Sequence, residues 1–255
     1  MQIAIGGEDM TENEKILAEK LRKIANRLMC EKLKNQRNLK SLARDDAMSK
    51  IKIIGMDFSG LRMINEFIRY SNLDFDSIAI NTSKSDLDFS NAKIKIRVGK
   101  NELFGLDGGS PQRSERMVRE CHDENFSTLN GAEIIICVSD FVSDDGEGMP
   151  PVIADIAKEI GAVAIFFAII PPAEGVVPFR RKNIEEYLKK LTEKTEYVIQ
   201  IDFWYFTKFI SSKIRVVTFL EMCERLTIID IDYFLKNYLK WTEKICELQR
   251  GTSKD

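Results

Sequence analysis

Four carboxylates lie close together in the segment 139–151, Ser-Asp-Phe-Val-Ser-Asp-Asp-Gly-Glu-Gly-Met-Pro-Pro, which we call the acidic loop. They belong to Asp140, Asp144, Asp145 and Glu147. Carboxylate oxygens can bind a hard cation such as Mg²⁺, whereas they repel a phosphate group. The spacing lacks the Asp-x-Asp-x-Asp-Gly period of a calcium loop, which favours a solvated acidic loop. A cation site at Asp144, Asp145 and Glu147 remains as the less favoured alternative.

The elements on either side place the acidic loop where α/β proteins bind phosphate. The apolar run 134–138 predicts a buried strand, and residues 152–160 predict an amphipathic helix. A loop between the carboxyl end of a strand and the N-terminus of a helix is the usual phosphate position of such folds. The position therefore suits a nucleotide, but the acidic side chains do not.

Strand and helix patterns alternate along most of the chain. The predicted strands are 51–54, 76–81, 92–98, 134–138, 162–170 and 197–201. The predicted helices are 60–70, 111–126, 152–160 and 183–195. Residues 226–232 are predicted as a last strand or loop, and 233–249 as a final helix. This alternation predicts an α/β fold, a Rossmann-like parallel sheet with helices on both faces.

A long polar helical pattern precedes the first strand. Apolar residues recur at helical spacing through 11–43 among many charged residues of both signs. Mixed charge is typical of a solvated helix face, which we favour over a partner-binding arm. We therefore expect a helical extension over 1–48 and a nucleotide-binding-fold domain over 49–255.

The composition argues against several classes of protein. A net charge of −2 provides no basic field for nucleic acid, so no nucleic-acid partner is expected. The only histidine, His122, argues against a histidine-rich metal site and a Ser-His-Asp triad. The 5 cysteines have no paired spacing, and Cys137 is expected in the core. The longest apolar run, 160–172, is too short to span a membrane. The first residues do not resemble a signal peptide, so we expect a cytoplasmic protein.

The order of several segments resembles the FtsZ/tubulin family. These are Ile-Lys-Ile-Ile-Gly at 51–55, Ala-Ile-Asn-Thr at 79–82, Gly-Leu-Asp-Gly-Gly at 105–109, the strand before the acidic loop, and Ile-Asp-Ile-Asp-Tyr at 229–233. The resemblance covers about residues 50 to 238 and implies the fold of that family's GTPase domain, with nucleotide loops at one edge. The nucleotide-binding positions that it implies, as vestiges, are Gly55, Gly60, Asn81, Thr82, Gly108, Gly109, Gly146, Gly148 and Arg180.

The chain departs from the family's pattern at each of these loops. Between Gly55 and Gly60 the glycine-rich phosphate loop has become Met-Asp-Phe-Ser. The family signature G-G-G-T-G-[ST]-G aligns with 142–148, where only two of its five glycines remain. In the family's synergy loop, which orients the attacking water, Asp232 is kept as a vestige and the second acid is replaced by Leu235. The family's base-contacting pair aligns with Phe203-Trp204, and its second domain is expected to be missing after Asp255.

Each of these positions also has a purely structural interpretation. Gly55 and Gly60 can shape a strand-to-helix turn, and Asn81-Thr82 can cap the next turn. Ser110 with Pro111 can begin a helix. The segment 180–182, which includes Arg180, is expected on the surface.

These departures favour a pseudo-GTPase that has no catalytic residue, needs no cofactor and acts by binding. The resemblance implies a cytoskeletal or cell-division setting, with a bona fide FtsZ or a second copy of the chain as partner. One alternative is a small nucleotide-binding GTPase that binds GTP with Mg²⁺ at the acidic loop. The other is an interaction module without a ligand.

Overall fold

The computed structural model describes residues 50–71, 73, 75–100, 109–171, 178–195, 197–202, 225, 227–229 and 231–237. The predicted N-terminal helix over 11–43 lies outside these residues. The chain divides into two compact units, and residues 45–228 form the unit that contains the sheet. The boundary predicted at residues 48 and 49 stays a prediction.

Six parallel strands form one sheet, as the apolar runs predict. They are β1 (Ile51–Met56), β2 (Asp76–Asn81), β3 (Ile94–Arg97), β4 (Ile134–Asp140), β5 (Val163–Ile170) and β6 (Val198–Asp202). Their order across the sheet is β3-β2-β1-β4-β5-β6. The order reverses between β1 and β4, so the loops that follow these two strands border the crevice where such sheets bind ligands.

Seven helices connect the described strands. They are α1 (Asp57–Tyr70), α2 (Lys84–Phe89), α3 (Pro111–Glu120), α4 (His122–Leu129), α5 (Asp144–Gly148), α6 (Pro150–Glu159) and α7 (Pro178–Lys194). Both helical layers of the predicted fold are present. The short helices α2 and α5 are not among the predicted elements. The start of α2 does have a capping residue, Ser83, whose hydroxyl oxygen accepts a hydrogen bond from the backbone N–H of Asp86.

Several predicted helix boundaries are wrong, among them the start of α7, which lies at Pro178, five residues before its predicted start. The helix α1 begins at Asp57, directly after β1, three residues before its predicted start. The single helix predicted over 111–126 is two helices, because Cys121 leaves the helical conformation. The second of them begins with Asp123 and Glu124 in its first turn, and acidic residues stabilise a helix N-terminus.

The sheet is buried on both faces. One face packs against α3, α4, α6 and α7 through a cluster that includes Ile54, Cys137 and Phe166. Cys137 is fully buried, as predicted. On the other face, α1 contacts β1, β2 and β4. The strand residues alternate between the two faces, so Gly55, next to Ile54, faces α1.

Residues 227 and 228, at the end of the unit that contains the sheet, are helical, and so are residues 229 and 231–237, which belong to the second unit. The strand or loop predicted over 226–232 is therefore wrong for the residues described. Ile231, Phe234 and Leu235 are buried, at the spacing of one helix face. Asp232 pairs with Lys236, one turn later, at 2.5 Å.

None of the described helices combines the length and the apolar composition that a membrane span requires.

Candidate functional site

The loops after β1, β2 and β4 come together at the carboxyl edge of the sheet, on either side of the switch point. Asp57 follows β1, Thr82 follows β2, and Ser139 and Asp140 end β4. All four side chains are buried. This edge is the candidate site, because the switch point of the strand order and the acidic loop both lie there.

Asp57 joins the first of these loops to β4. Its Oδ1 accepts a hydrogen bond from the backbone N–H of Gly60 at 2.9 Å, and its Oδ2 accepts one from the backbone N–H of Asp140 at 2.8 Å. The Ser139 hydroxyl lies 3.0 Å from Asp57 Oδ2 and 2.9 Å from the Gly146 carbonyl oxygen, so its single proton can serve either acceptor. Asp57 is only 2% exposed. Its carboxylate therefore connects the first turn of α1 with the end of β4 and, through Ser139, with the acidic loop.

The backbone of Asp57 is in the left-handed region, with φ of 62°. Among the described residues it is the only one other than glycine with a positive φ. That conformation costs an L-residue with a Cβ about 1 kcal/mol. The hydrogen bonds of the carboxylate offset this strain.

Asp57 and Asp140 are neighbouring buried carboxyl groups that hold protons more firmly than exposed ones. Burial, and then the charge of Asp140, raise the pKa of Asp57 well above its ordinary value, although its three donors oppose the shift. Burial also raises the pKa of Asp140, opposed by the Ser59 hydroxyl, two backbone N–H groups and Arg180. Full ionisation of both groups is therefore unfavourable.

Asp145 ties the acidic loop to β2 and α3. Its Oδ2 accepts a hydrogen bond from the Thr82 hydroxyl at 2.7 Å, and its Oδ1 accepts one from the Ser114 hydroxyl at 2.6 Å. The side chain is buried. Both carboxylate oxygens are thus engaged by hydroxyl donors of this chain.

Arg180, near the start of α7, holds the other two acids of the loop. Its guanidinium donates to Asp144 Oδ1 at 2.8 Å, to Glu147 Oε1 at 2.7 Å and to the Val142 carbonyl oxygen. Its side chain is 27% exposed. The surface position predicted for 180–182 is confirmed for Arg181 and Lys182, which are exposed, whereas Arg180 is only partly exposed and connects the acidic loop to α7.

Glu147 is fully buried and only half satisfied. Its Oε1 pairs with Arg180, whereas Oε2 has no hydrogen-bond partner among the described residues. Burial raises the pKa of Glu147 from 4.5 to about 7, with Arg180 opposing the shift and Asp144 and Asp140 adding to it. Near neutral pH, this carboxyl group is therefore protonated in a large share of the molecules.

Arg180→Ala is expected to lower the free energy of unfolding at pH 8 by about 2 kcal/mol, because two carboxylates lose their charged partner. Denaturant unfolding measures the difference. The control is Lys182→Ala, in the same turn of α7 at an exposed position, with an expected change within about 0.5 kcal/mol. Equal effects of the two substitutions would contradict the assigned role of Arg180.

The structure corrects the prediction of a solvated acidic loop. Asp145 and Glu147 are buried, and residues 144–148 form the short helix α5. Ser143 caps this helix, and its hydroxyl oxygen accepts from the backbone N–H of Gly146 at 2.9 Å. Burial of Asp145 and Glu147 is tolerated because each carboxyl group accepts hydrogen bonds from a donor in a distant part of the chain.

The alternative of a cation site at Asp144, Asp145 and Glu147 also lacks support. Across the described ranges, no three His, Cys, Asp or Glu side chains are grouped to hold a metal ion. Asp145 faces two hydroxyl groups, while Asp144 and Glu147 face Arg180. The three carboxylates therefore do not converge on one ion.

Close packing explains the glycines that remain after β1. A Cβ at Gly55 would lie 2.5 Å from the Gly60 carbonyl oxygen, and a Cβ at Gly60 would lie 2.6 Å from the Val138 carbonyl oxygen. Both distances are too short for real contacts. These two glycines allow α1 to pack tightly on the sheet, which supports their structural interpretation.

The two glycines of the acidic loop are also required by packing. A Cβ at Gly146 would lie 1.7 Å from the Asp140 carbonyl oxygen and 2.6 Å from Asp57 Oδ2. A Cβ at Gly148 would lie 2.2 Å from the Pro111 carbonyl oxygen. Their retention therefore needs no phosphate to explain it.

The remaining predicted positions have local roles or lie outside the described residues. Asn81 Oδ1 accepts from the backbone N–H of Ser83 at 2.8 Å, which caps the turn after β2 as the structural interpretation predicts. The Ser110 hydroxyl caps α3, with Pro111 at its first position. Gly109 is exposed, with φ of 71°. Gly108 is not among the described residues.

Comparison with known proteins decides the family. A family model, the GTPase domain of the Tubulin/FtsZ family, matches residues 24–211. The chain belongs to the Tubulin/FtsZ family. Among related sequences, the cell division protein FtsZ of Methanothermobacter thermautotrophicus is 33% identical over 159 residues, which are 62% of this chain and 41% of the relative. FtsZ 1 of Archaeoglobus fulgidus is 34% identical over 153 residues, 59% of this chain and 41% of that protein. The chain thus spans about two fifths of these relatives.

Solved structures show the same fold. An empty FtsZ dimer from M. jannaschii superposes with a TM-score of 0.68 at 21% identity, covering 83% of this chain and 58% of the other. CetZ2 of Haloferax volcanii, in a GTPγS-bound protofilament, superposes with a TM-score of 0.64 at 20% identity, covering 73% and 58%. The Rossmann-like sheet predicted from the resemblance is therefore confirmed.

Two positions aligned with functional residues of the Tubulin/FtsZ family are not among the described residues of the unit that contains the sheet. Asp232 lies in the helical stretch of the second unit, and its pairing with Lys236 is local. The pair Phe203-Trp204, aligned with the base-contacting residues, falls outside the described residues. Their roles stay predictions.

Sequence reasoning missed the residues that bind the acids. The sequence marks neither Ser114 nor Ser139 as a candidate, and Asp57 stands out only as part of the segment that replaces the family's glycine-rich phosphate loop. A signal existed for Ser139, because it ends the strand next to β1 and so must lie near Asp57. Nothing in the sequence singles out Ser114, which lies 31 residues from Asp145.

Proposed function

We propose that this chain is a member of the Tubulin/FtsZ family that neither binds nor hydrolyses GTP and that acts by binding another protein. The observation that carries the proposal is the acidic loop. At the position of the family's glycine-rich signature, its carboxylates are buried or partly buried and are held by donors of the same chain.

The donors at this edge already have an anionic partner. The hydroxyl groups of Thr82 and Ser114 donate to Asp145, and the guanidinium of Arg180 donates to Asp144 and Glu147. A phosphate group would have to displace these carboxylates and remain beside them, against their charge repulsion. Weak or absent nucleotide binding follows.

Hydrolysis is disfavoured for the same reason. Phosphoryl transfer depends on donors and cations that stabilise the charge of the transition state, and losing one such donor typically costs about 3 kcal/mol of barrier. Here the acidic loop adds negative charge where positive charge is needed. The alternative of a Mg²⁺-dependent GTPase would require three carboxylates that already pair with Arg180 or with the hydroxyl groups of Thr82 and Ser114.

The relatives suggest the kind of protein that this chain binds. They are named as cell division proteins, and two structural neighbours are a dimer and a protofilament. We propose that the partner is an FtsZ or a second copy of this chain, in a cytoskeletal or cell-division role. Unlike the assembly of a GTPase, this contact does not need a bound nucleotide.

Isothermal titration with GTP and GDP, with and without Mg²⁺, tests the proposed loss of binding. We expect no binding, while an FtsZ measured in parallel binds and releases phosphate. Sub-micromolar affinity for GTP, or phosphate release comparable with that FtsZ, would overturn the proposal.

Light scattering and electron microscopy test the proposed partner. We expect this chain to change the length of FtsZ filaments or to associate with itself in the absence of nucleotide. Long filaments of this chain that form only with GTP would contradict the proposal. If neither interaction occurs, the third hypothesis, an interaction module with an unrelated partner, replaces it.

A further inference from the structure

The carboxylate of Asp57 makes contacts beyond the first turn of α1. Within that turn, its Oδ1 accepts a hydrogen bond from the Gly60 N–H at 2.9 Å. The other oxygen points across the switch point, where it accepts from the Asp140 N–H at 2.8 Å. Two backbone donors, one in the first turn of α1 and one at the end of β4, thus share one carboxyl group.

The acidic loop packs directly against this carboxylate. A Cβ at Gly146 would come within 2.6 Å of Asp57 Oδ2, and the Ser139 hydroxyl bridges that oxygen and the Gly146 carbonyl oxygen. The carboxylate is therefore enclosed by three segments of the edge, and the whole residue is 2% exposed. No free anion can reach the two backbone donors while Asp57 is in place.

The backbone at this position is better suited to glycine. The φ of 62° is one that glycine adopts without strain and aspartate does not. The side chain is thus held against its own backbone preference by the bonds that it makes. The backbone conformation of Asp57 is unfavourable, and the hydrogen bonds that its side chain accepts from the two backbone donors offset that cost.

We propose that the Asp57 carboxyl group acts as an internal substitute for an anion, an autoinhibitory contact that fills the position between the start of α1 and the acidic loop and so excludes phosphate-class anions. This inference deepens the proposed function and rests on it, because it names the group that closes this edge to phosphate. It predicts that removing one side chain will create an anion-binding position.

Asp57→Gly is the decisive variant. It relieves the left-handed strain, and it leaves the N–H groups of Gly60 and Asp140 facing a cavity without an acceptor. An inorganic phosphate or diphosphate ion can then supply the missing acceptor oxygens. Asp57→Asn is the matched control, because it keeps the cavity filled by a side chain of the same shape.

The test is thermal unfolding of the wild type and both variants with sodium diphosphate or sodium phosphate, against sodium chloride at equal ionic strength. At about ten times the dissociation constant, diphosphate should raise the Tm of Asp57→Gly by about 3–6 °C more than chloride does. The wild type and Asp57→Asn should show no such difference. Sodium sulfate separates a specific site from the general effect of an excluded salt, which would raise all three Tm values equally.

The outcomes separate this inference from the proposed function. A wild type stabilised by diphosphate and GTP would overturn both proposals. If the wild type does not respond and a folded Asp57→Gly does not respond either, the inference about Asp57 is overturned and the proposed function stands. If Asp57→Gly folds only when diphosphate is present, the inference is supported. If it folds under neither condition, Asp57→Ser takes its place, and a lack of response in that variant overturns the inference.

Discussion

Gly146→Ala is expected to lower the free energy of unfolding by about 3 kcal/mol or more, with a fall in Tm of about 6–12 °C. The added Cβ would lie 1.7 Å from the Asp140 carbonyl oxygen, so the backbone of the acidic loop has to move. That movement also disturbs Asp57, whose Oδ2 would lie 2.6 Å from the new carbon. Thermal and urea unfolding measure the loss.

Gly131→Ala is the matched control for this substitution. Gly131 has φ of 82°, but a Cβ there would meet nothing within 4 Å. Its replacement therefore costs only the backbone strain, about 1 kcal/mol. If both alanine variants lose the same stability, close packing does not explain why Gly146 is retained.

Glu147→Gln is expected to stabilise the protein at pH 8 by about 3 kcal/mol and to have little effect at pH 4. The reason is the raised pKa of Glu147, about 7 in the folded state against an ordinary value of 4.5. Glutamine keeps the shape and an acceptor for Arg180, while it removes the charge whose burial is unfavourable. Urea unfolding of both proteins between pH 4 and pH 8 measures the difference.

The sign of this effect follows from proton linkage. Below pH 4.5 the carboxyl group is protonated in both states, so it does not make stability depend on pH. Between pH 4.5 and 7 the unfolded chain loses the proton while the folded protein keeps it, and stability falls as the pH rises. Above pH 7 the penalty is complete. The advantage of the glutamine variant should therefore develop between pH 4.5 and 7.

An exposed carboxylate provides the control for this experiment. Glu193 lies on the surface of α7, where its side chain is 63% exposed. Glu193→Gln should change stability by no more than about 0.5 kcal/mol at any of these pH values. If Glu147→Gln behaves like Glu193→Gln across the range, the burial of Glu147 does not control its ionisation.

The sheet could be predicted from the sequence because its signals are local. The runs that became β1, β4 and β5 are short, apolar and rich in β-branched residues, and each ends near polar or turn-forming residues. The break between α3 and α4 at Cys121 has no comparable signal, because Cys121 lies within a continuous helical pattern.

The candidate site could be located from the sequence, but its chemistry could not. The position of the acidic loop follows from its place between a strand and a helix. Whether its acids face water depends on donors far away in the chain, such as Thr82, which is 63 residues from Asp145. From the sequence, such acids are predicted to lie on the surface, because burying a carboxylate without a partner is energetically unfavourable and a distant partner cannot be recognised from the local sequence.

The glycines of this edge show a related limit. The resemblance marked Gly55, Gly60, Gly146 and Gly148 as vestiges of nucleotide binding. In the structure each of them lies against a backbone carbonyl oxygen, at a distance that no Cβ allows. Within these loops, the retained glycines are those on which the packing of the fold depends.

The two hydrogen bonds of Asp145 determine whether this joint depends on the concentration of a ligand. They join β2, α3 and the acidic loop through a group that is part of the chain. A diffusing ligand stabilises a protein in proportion to the logarithm of its concentration, whereas a tethered group is always present at the same effective concentration. The joint made by Asp145 is therefore constitutive, because it forms without any bound ligand.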